Sequence, residues 1–573
     1  MPGTAISVSG ARMGTTQYKA DGITNNSMFL GRISLAFSSD AVQEVAVQQN
    51  SYSAEFGRTG GGVVQMTTRS GTNELHGTVF SFFQNDAFNA APYANSYRTK
   101  GKQRYWRGGV NVAGPVYLPK LYNGKNRTFF FFGYEPKRQK SDALYYHRVP
   151  TELERQGDFS ESFYNQNLKY PVTIFQQFEY DPSGTSLTST KITPPKNTPY
   201  PQFEGNRLPK QLISPIAQKL LALIPLPNYP TQWNGVNRAE MRGVTNTDNR
   251  ILAKADQVLT SANRLSFRLA YVPTQGERFY QGGRDSLINA TPTDISRGTN
   301  LALSDTHTFG PTKINEFRAG FSRSDIRRVA NDAQLSKNWF AEFGIPSKLD
   351  KGMVRLGLND FQPFATAVGS TEIDNVYEVN DSFTWIVGKH FLKVGGEFQA
   401  IQQNLTDLTD VQGMWNFNSS LTSIGSFDTS AYPGIGVKGA RTGFSIATLL
   451  LGFPSGITMA PDVVPYQYRW KHYAGYVQDN IKVTPRLSVN VGMRYQVEAP
   501  RSEKHHNQGY YVNDRAVNSQ GQEVQGYLQL TGLGGARNTI FPTQYKNFEP
   551  RIGIAYRLPG EGWGPLKVIR TGY

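Results

Sequence analysis

The chain of 573 residues contains no cysteine, so neither a disulfide framework nor a zinc–thiolate site is open to it. It is poor in charge, at 18% of residues, and the basic residues lie scattered from Arg12 to Arg570. Lys and Arg number 60 against 44 Asp and Glu, a net charge of +16, yet no run forms the basic arm or tail of a nucleic-acid binder. Nucleic acid is therefore not expected as a partner. Long apolar runs are missing as well. The best candidate, Phe444 to Phe453 ("FSIATLLLGF"), has about half the span a membrane helix needs and is expected as a short buried helix or strand. The first residues, "MPGTAISVSGARMG", lack the basic start and apolar core of a signal peptide. Taken alone, that start argues for the cytoplasm.

Patterns of catalysis and metal binding are missing too. His505-His506, in "RSEKHHNQG", has neither the helical spacing nor the Glu of a metalloprotease motif, and a solvated loop is expected. His76, His307, His390 and His472 fall in or beside strand-like segments, and no Gly-x-Ser-x-Gly elbow occurs. Asp21-Gly22, within "YKADGIT", reads as the opening of a turn. Gly57, Gly60, Gly61 and Gly62 raise the question of a phosphate cradle, but no Gly-Lys-Ser/Thr comes after them. The next residues are Val63-Val64-Gln65-Met66-Thr67-Thr68, β-branched and strand-like, so no helix end points at the loop. The glycines are instead predicted to turn the chain between strands at 41–49 and 62–69. No catalytic, cofactor-binding or metal-binding residue is predicted.

What the sequence does have is aromatic rings and alternation. Phe 34 and Tyr 30 coexist with a mean hydropathy of −0.47. A membrane β-barrel combines these naturally, with an apolar outer band, aromatic girdles and a polar lumen. In "RLSVNVGMRYQVE" (486–498), Leu487, Val489, Val491, Met493, Tyr495 and Val497 share one face, and Arg486, Asn490, Arg494 and Glu498 the other. "NRLSFRLAY" (263–271) and "FLKVGGEFQA" (391–400) alternate in the same way. Strands of about ten residues with one apolar face suit a wall between lipid and water. Strand candidates meet across tight links near 261, 311, 388 and 485, while 274–298, 324–375, 402–466 and 499–547 are long and polar. Short and long links alternate strictly, as turns and loops do in outer-membrane barrels. All the long segments, with 139–248, are expected at one end of the sheet. Within 139–248 a helix is predicted, capped by Ser214, opened by Pro215 and ended by Pro225, with Ile216, Leu220 and Leu223 on its apolar face.

The stretch "DAVQEVAVQQNSYSAEFGRTGGGVVQMTTRSGTNELHGTVFSFFQNDAFNA" (40–90) resembles the end of the plug and start of the barrel of TonB-dependent outer-membrane receptors, in their Oar-like branch. "VPTELERQGDFS" (149–160), "GNRLPKQLISPIAQKLLALIPLPN" (205–228), "YAGYVQDNIKVTPRLSVNVGMRY" (473–495) and "FEPRIGIAYRLPG" (548–560) extend the resemblance in family order. The resemblance implies an all-β fold: an antiparallel transmembrane β-barrel, with the C-terminal part of a plug domain over 1–73 and the wall over 74–573. It makes Gly57, Gly60, Gly61 and Gly62 a plug turn and starts the first wall strand near Leu75. It implies an outer-membrane location, contact with outer-membrane lipid, energisation by the TonB–ExbB–ExbD complex, and active uptake of a large extracellular ligand such as a glycan, peptide or chelate. A surface or adhesion protein using the barrel as an anchor is the alternative, although an anchor needs no plug. Loop aromatics Tyr164, Tyr180, Trp233, Tyr280 and Trp415 fit a ligand or mere loop packing. The family's signal peptide, TonB box and first half of the plug are not matched, and roughly thirteen wall strands are counted where such barrels need about 22. The chain is accordingly expected as a partial barrel, its wall open and C-shaped around a partial plug.

Overall fold

The computed structural model describes residues 7–572 except 9, 13, 29–30, 50–52, 91–100, 166–169, 182, 184–186, 196–197, 231–235, 279–292, 331–336, 348, 362–368, 409–410, 425–441, 461 and 559–567. The chain begins as a small mixed sheet of β1 (Thr16–Ala20), β2 (Ile23–Thr24), β3 (Val42–Gln48) and β4 (Gly62–Thr68), in the order β2-β1-β4-β3. β1 and β4 run parallel, and the other two pairs antiparallel. β1 is buried along its whole length, because it lies inside a second, far larger sheet.

That second sheet is an antiparallel wall. Its strands are β5 (His76–Asn85), β6 (Gln103–Pro115), β7 (Thr128–His147), β8 (Arg238–Thr260), β9 (Asn263–Arg278), β10 (Thr293–Gly310) and β11 (Lys313–Val329). It continues through β12 (Gly369–Val387), β13 (His390–Asp407), β14 (Tyr466–Lys482), β15 (Leu487–Glu498), β16 (Phe548–Arg557) and β17 (Val568–Gly572). Each strand pairs with its neighbours in this chain order, and a short piece, Ser502–Glu503, adds to β14. Among the described residues β5 and β17 each have a partner on one side only, so the wall is open. Among the described residues the inner face of β5 is left uncovered, since Phe82, which points inward, is 59% exposed.

Alternation decides which way each side chain points. Along β15, Val491 and Met493 are exposed on the outer face, whereas Arg494 is 1% exposed on the inner one. Outward rows of Phe267, Leu303, Phe317, Val379 and Tyr473 continue the apolar face across the wall. The inner face is polar, which makes the wall a lipid-facing sheet turned inside out relative to a soluble sandwich.

Most wall strands are longer than the ten residues expected, although β5 and β16 have just ten. β7 runs 20 residues and β8 runs 23, about twice the length a tilted strand needs to cross hydrocarbon. The excess extends the wall beyond the membrane at the long-loop end. Link 139–248 accordingly shrinks to 148–237, because both flanks continue the β7–β8 ladder from Gln257↔Thr128 up to Arg238↔His147. Since neighbouring strands run antiparallel in chain order, the tight links at 261–262, 311–312, 388–389 and 483–486 share one end. The long links 148–237, 279–292, 330–368, 408–465 and 499–547 share the other. Outer-membrane barrels keep their short turns in the periplasm and their long loops outside.

Three of the long loops fold together into a cap. Its core joins Val149, Phe159, Ile174, Leu208, Leu220 and Leu221 of the first with Trp339, Phe340, Leu356 and Phe361 of the second and Phe417, Phe444, Ile446 and Leu450 of the third. Residues 445–450 are a fully buried helix in this core, which accounts for the apolar run noted in the sequence. No helix among the described residues is long and apolar enough to cross a membrane. Helix Pro215–Ala222 is capped by Ser214, whose hydroxyl accepts from the Ala217 amide. Its buried face is Ala217, Leu220 and Leu221; of the expected stripe Leu220 is buried and Leu223 packs half-buried against the same core, but Ile216 is 38% exposed. The stripe that meets the cap is rotated by one residue, a choice made by the loops packed against it. Arg155 closes the helix, donating to the carbonyls of Leu221, Ile224 and Pro225 at 2.6, 2.8 and 2.9 Å.

Candidate functional site

The seam between the inner sheet and the wall is where chemistry concentrates. It starts with the tight turn after β1, where Asp21 and Gly22 adopt positive φ of 47° and 83°. Asp21 accepts from the amide and hydroxyl of Thr68 at 2.9 and 2.7 Å, tying β1 to β4. Its carboxylate also lies 2.7 Å from Nε of Arg268 on β9, so the residue read as a turn opener also anchors the sheet to the wall. Arg268 is itself 1% exposed, and donates to the Ala20 carbonyl and to Asn300.

Further along, Glu378 on β12 faces Lys19 at 3.3 Å and accepts from the Thr24 amide at 2.8 Å. Burial alone would lower the Lys19 ammonium, but the carboxylates of Glu397, Glu378 and Glu55 outweigh it and hold it above its usual value. Asp374 accepts from the Met28 amide at 3.0 Å, and Glu135 on β7 from the Ser38 hydroxyl at 2.5 Å. On the other flank Arg494 donates to the Glu55 carbonyl at 2.9 Å and pairs with Glu397 at 3.1 Å. Gln478 accepts from Ala54, Lys393 pairs with Glu55, and Arg551 donates to Ser53. Partners from β7 through β16 thus surround the inner sheet, so it sits in the hollow of the wall. A polar interior of this kind is stable only while every buried group keeps a partner.

The glycines lie in the same seam. Residues 49–61 link β3 to β4, and Gly57 passes so close to the wall that a Cβ there would overlap the Arg494 guanidinium and sit 2.7 Å from Gln496 Oε1. Gly61 has room for no side chain against Ala11 and Val8, at 2.9 Å, and Gly62 takes a φ of +149°. Gly60 is different, since its nearest neighbour would be Thr15 at 3.5 Å. Close approach to the wall is the use Gly57 shows, whereas Gly61 and Gly62 are crowded by Val8, Ala11 and Gln48 on the inner sheet's own side.

Two open spaces border the seam. Toward the turn end a cavity of about 390 Å³ is lined by Lys19, Asp21, Glu55, Lys254, Arg264 and Arg318, among others. Toward the loop end the wall presents an aromatic ladder: Tyr466 and Tyr468 stack at 5.9 Å, and Arg501 lies 5.0 Å from the Tyr468 ring centroid and 6.0 Å from that of Trp470. Trp470 packs with Val376 and Ile401, and Met28 of the inner sheet's apical loop covers them.

Of the other residues singled out, Tyr180 is exposed at the loop end, and Trp415 packs against the cap core, which gives it a structural use. Trp233 and Tyr280, and the side chain of Tyr164, lie outside the described residues. His390 on the outer face bonds Asp479 at 2.6 Å, His76 and His307 are also on the wall, and His472 is buried on the lumen side beside Gln496. His506 is turned to the Thr531 carbonyl at 2.7 Å. No cluster of His, Asp and Glu able to hold a metal occurs among the described residues. Sequence reasoning placed Arg268, Glu397 and Arg494 on polar faces but did not foresee their partners. Their only signal was a charged residue in the middle of a wall strand.

A mixed sheet held by ion pairs inside a lipid-facing antiparallel wall defines an outer-membrane β-barrel with an occupied lumen. Residues 67–573 match the family described as "Outer membrane beta barrel domain", and the chain belongs to that family. Over 139 residues it is 30% identical to a protein of Myxococcus xanthus described as "TonB-dependent transporter Oar", covering 23% of this chain and 12% of that one. Among solved structures it is similar to the outer membrane transporter YddB from Escherichia coli, with a TM-score of 0.46, 10% identity, and coverage of 96% of this chain and 55% of that one. The ferripyoverdine receptor of the outer membrane of Pseudomonas aeruginosa aligns with a TM-score of 0.44, 10% identity, and coverage of 95% and 48%. The chain spans about half the length of these structures. The family match and the Oar relative agree with the resemblance to TonB-dependent receptors.

Proposed function

We propose that this protein serves in TonB-dependent import across the outer membrane, taking up a ligand too large for a porin, of glycan, peptide or chelate type. The observation that carries the reading is the sheet lodged in the lumen and held there by polar contacts. An adhesion anchor needs a wall and loops, and has no use for an occupant whose removal would expose buried charge. Residues 1–73 are the plug portion in this reading, and Gly57, Gly60, Gly61 and Gly62 its turn against the wall. The Tyr466–Tyr468–Trp470 ladder with Arg501 is the ligand-facing surface above the plug. Energy comes from the TonB–ExbB–ExbD complex, as the name of the Oar relative supports.

Uptake tests the proposal directly. Cells carrying the protein are offered labelled oligosaccharides, peptides and metal chelates, with and without an uncoupler of the proton-motive force. At least one probe is expected to reach the periplasm in energised cells and to stop at the surface in uncoupled ones. Surface binding of every probe to the same extent in both, with no entry, would support the adhesion reading instead.

A further inference from the structure

Above the inner sheet the lumen holds charges of both signs that do not meet. Glu372 and Asp374 stand at the start of β12, which runs 19 residues where hydrocarbon takes about ten, so both lie on the loop side of the membrane. Asp374 is 1% exposed and accepts from Gln403 Nε2 at 3.0 Å as well as from the Met28 amide. Glu372 is half-buried. Among the described residues it receives only the Ser27 hydroxyl, at 3.4 Å, and holds no ion pair. Burial and the neighbouring Asp374 push its carboxyl up to about 7, against the pull of Ser27 and Arg32. A carboxyl so placed gains from an added cation.

Arg501 is the counterpart. It lies over the Tyr468 ring with Nη1 3.4 Å from Gln403 Oε1, and it too holds no ion pair among the described residues. Register keeps the two charges apart. Glu372, Leu405 and Tyr466 form one inward row, and Asp374, Gln403 and Tyr468 the next. β13 therefore stands between acid and guanidinium, and two strand spacings, roughly 10 Å, separate them. Ser27 and Met28 also border a cavity of about 130 Å³ with Gln17, Thr24, Asn26 and Arg58. Gln17 is 7% exposed, and its Oε1 has no hydrogen-bond partner. That leaves an acceptor open to an N–H group from a ligand.

Resting on the import reading, we propose that this site recognises a peptide. A cationic group of the ligand, a Lys or Arg side chain or the amino terminus, meets Glu372 beside Asp374, and a carboxylate about three residues away meets Arg501. The spacing follows from the chain itself, since an extended residue spans about 3.3–3.6 Å. Flat side chains of the peptide lie on Tyr466 and Tyr468. Charge selects the class. A neutral glycan stacks on the rings but leaves Glu372 and Arg501 without partners. An anionic metal chelate meets Arg501 but is repelled by two carboxyl groups. A peptide supplies both signs at a fixed separation.

The test measures binding to the full chain in micelles by fluorescence anisotropy. The probe is a dye-labelled, end-capped octapeptide with Lys and Asp three positions apart. Beside it stand the same peptide with Met for Lys, the same with Asn for Asp, a neutral oligosaccharide and a trianionic ferric chelate. The doubly charged peptide is expected to bind tightest, and each neutralised peptide about ten-fold more weakly, the worth of one charged hydrogen bond. Glu372→Gln should weaken the doubly charged peptide by the same factor and leave the Met-containing one unchanged. Arg501→Gln should weaken it likewise and spare the Asn-containing one. Strand content by circular dichroism shows that the variants are folded, and the comparison among peptides needs no variant. Equal binding of charged and neutralised peptides, tighter binding of the oligosaccharide or the chelate, or unchanged affinity in both folded variants overturns the proposal. Uptake separates this from import itself. Energy-dependent entry of the oligosaccharide or chelate but of no peptide overturns the peptide assignment and leaves import standing. Charge-selective peptide binding without energy-dependent entry supports the peptide site and removes import.

Discussion

The molecule has two interiors built on opposite principles. The cap is an apolar core: Phe159, Phe444 and Ile446 are wholly buried, and Arg148 enters it only by lying 4.9 Å from the ring centroids of Phe361 and Phe444 while paired with Glu154. The seam is a polar core, in which Lys19, Glu378, Arg268, Glu397 and Arg494 are all buried. Apolar burial is non-directional and tolerates sliding, whereas buried ion pairs are specific and lose heavily when one partner leaves. The cap is therefore fixed by volume, and the seam by partner. A seam of this kind also has an open alternative, because each charge parted from its partner can be rehydrated, which an apolar surface cannot.

The largest expected effect breaks the seam side of that comparison. Arg494→Leu leaves Glu397 buried without its ion-pair partner and is expected to cost about 3–5 kcal/mol. Limited proteolysis should then cut near Ser53–Glu55, where Arg494 now holds the chain, and adding Glu397→Leu should restore most of the protection. If the double variant is as protease-sensitive as the single one, partner identity is not what holds the seam.

Phe444→Ala opposes it on the cap side, removing a ring at the centre of the core at a cost of about 3–5 kcal/mol. Hydrogen exchange should accelerate in the helix at 445–450 and in the helix at 215–222, with the wall from β8 to β14 unchanged. Equal acceleration in the wall would show that cap and wall unfold as one unit.

Acid sharpens the contrast at the rim between the two. Glu503 accepts from the amides of Gln467, His505 and Asn507 at 2.8, 2.8 and 2.7 Å. Burial pushes its carboxyl up, but these amides outweigh that and hold it below its ordinary value. A depressed folded value contributes stability that is complete above the unfolded value, about 4.3, and is lost as pH falls through the folded one. Protection of those three amides, relative to their intrinsic exchange, should therefore be lost as the pH falls through the folded value in the native chain. In Glu503→Gln it should already be lower at neutral pH and show no such step.

The smallest effect concerns one helix of the cap. Ser214→Ala removes the hydroxyl that receives the Ala217 amide and should cost about 1 kcal/mol, read as faster exchange confined to residues 215–222. Spread of that change into the seam would blur the division between the two interiors.

Much of the wall was legible because membrane strands write their environment every second residue. Leu487 through Val497 showed their outer face, and the alternation of tight and long links showed which ends of the strands lie together. Strand lengths were not legible, since β7 and β8 continue past the lipid into water, where the apolar face no longer has to be kept. The cap helix was marked by its Ser-Pro start, but its buried face was legible only in part: Leu220 and Leu223 meet the core and Ile216 does not, because three loops converge on the helix from outside its own sequence. Trp415 looked as suited to a ligand as to packing until its neighbours were known.

By itself the sequence determined inside and outside: period-2 alternation on a strand is a local property, enforced by lipid on one face and water on the other. It also required the glycine at 62, whose φ of +149° disfavours other side chains, and it left the turn before it short and close. Tertiary structure alone decided who meets whom. Lys19 and Glu378 are 359 positions apart, and Arg494 lies 440 from Ala54, so no window of sequence contains both members of either contact. The wall must first curve around the inner sheet before a charge on a polar face becomes half of a buried pair.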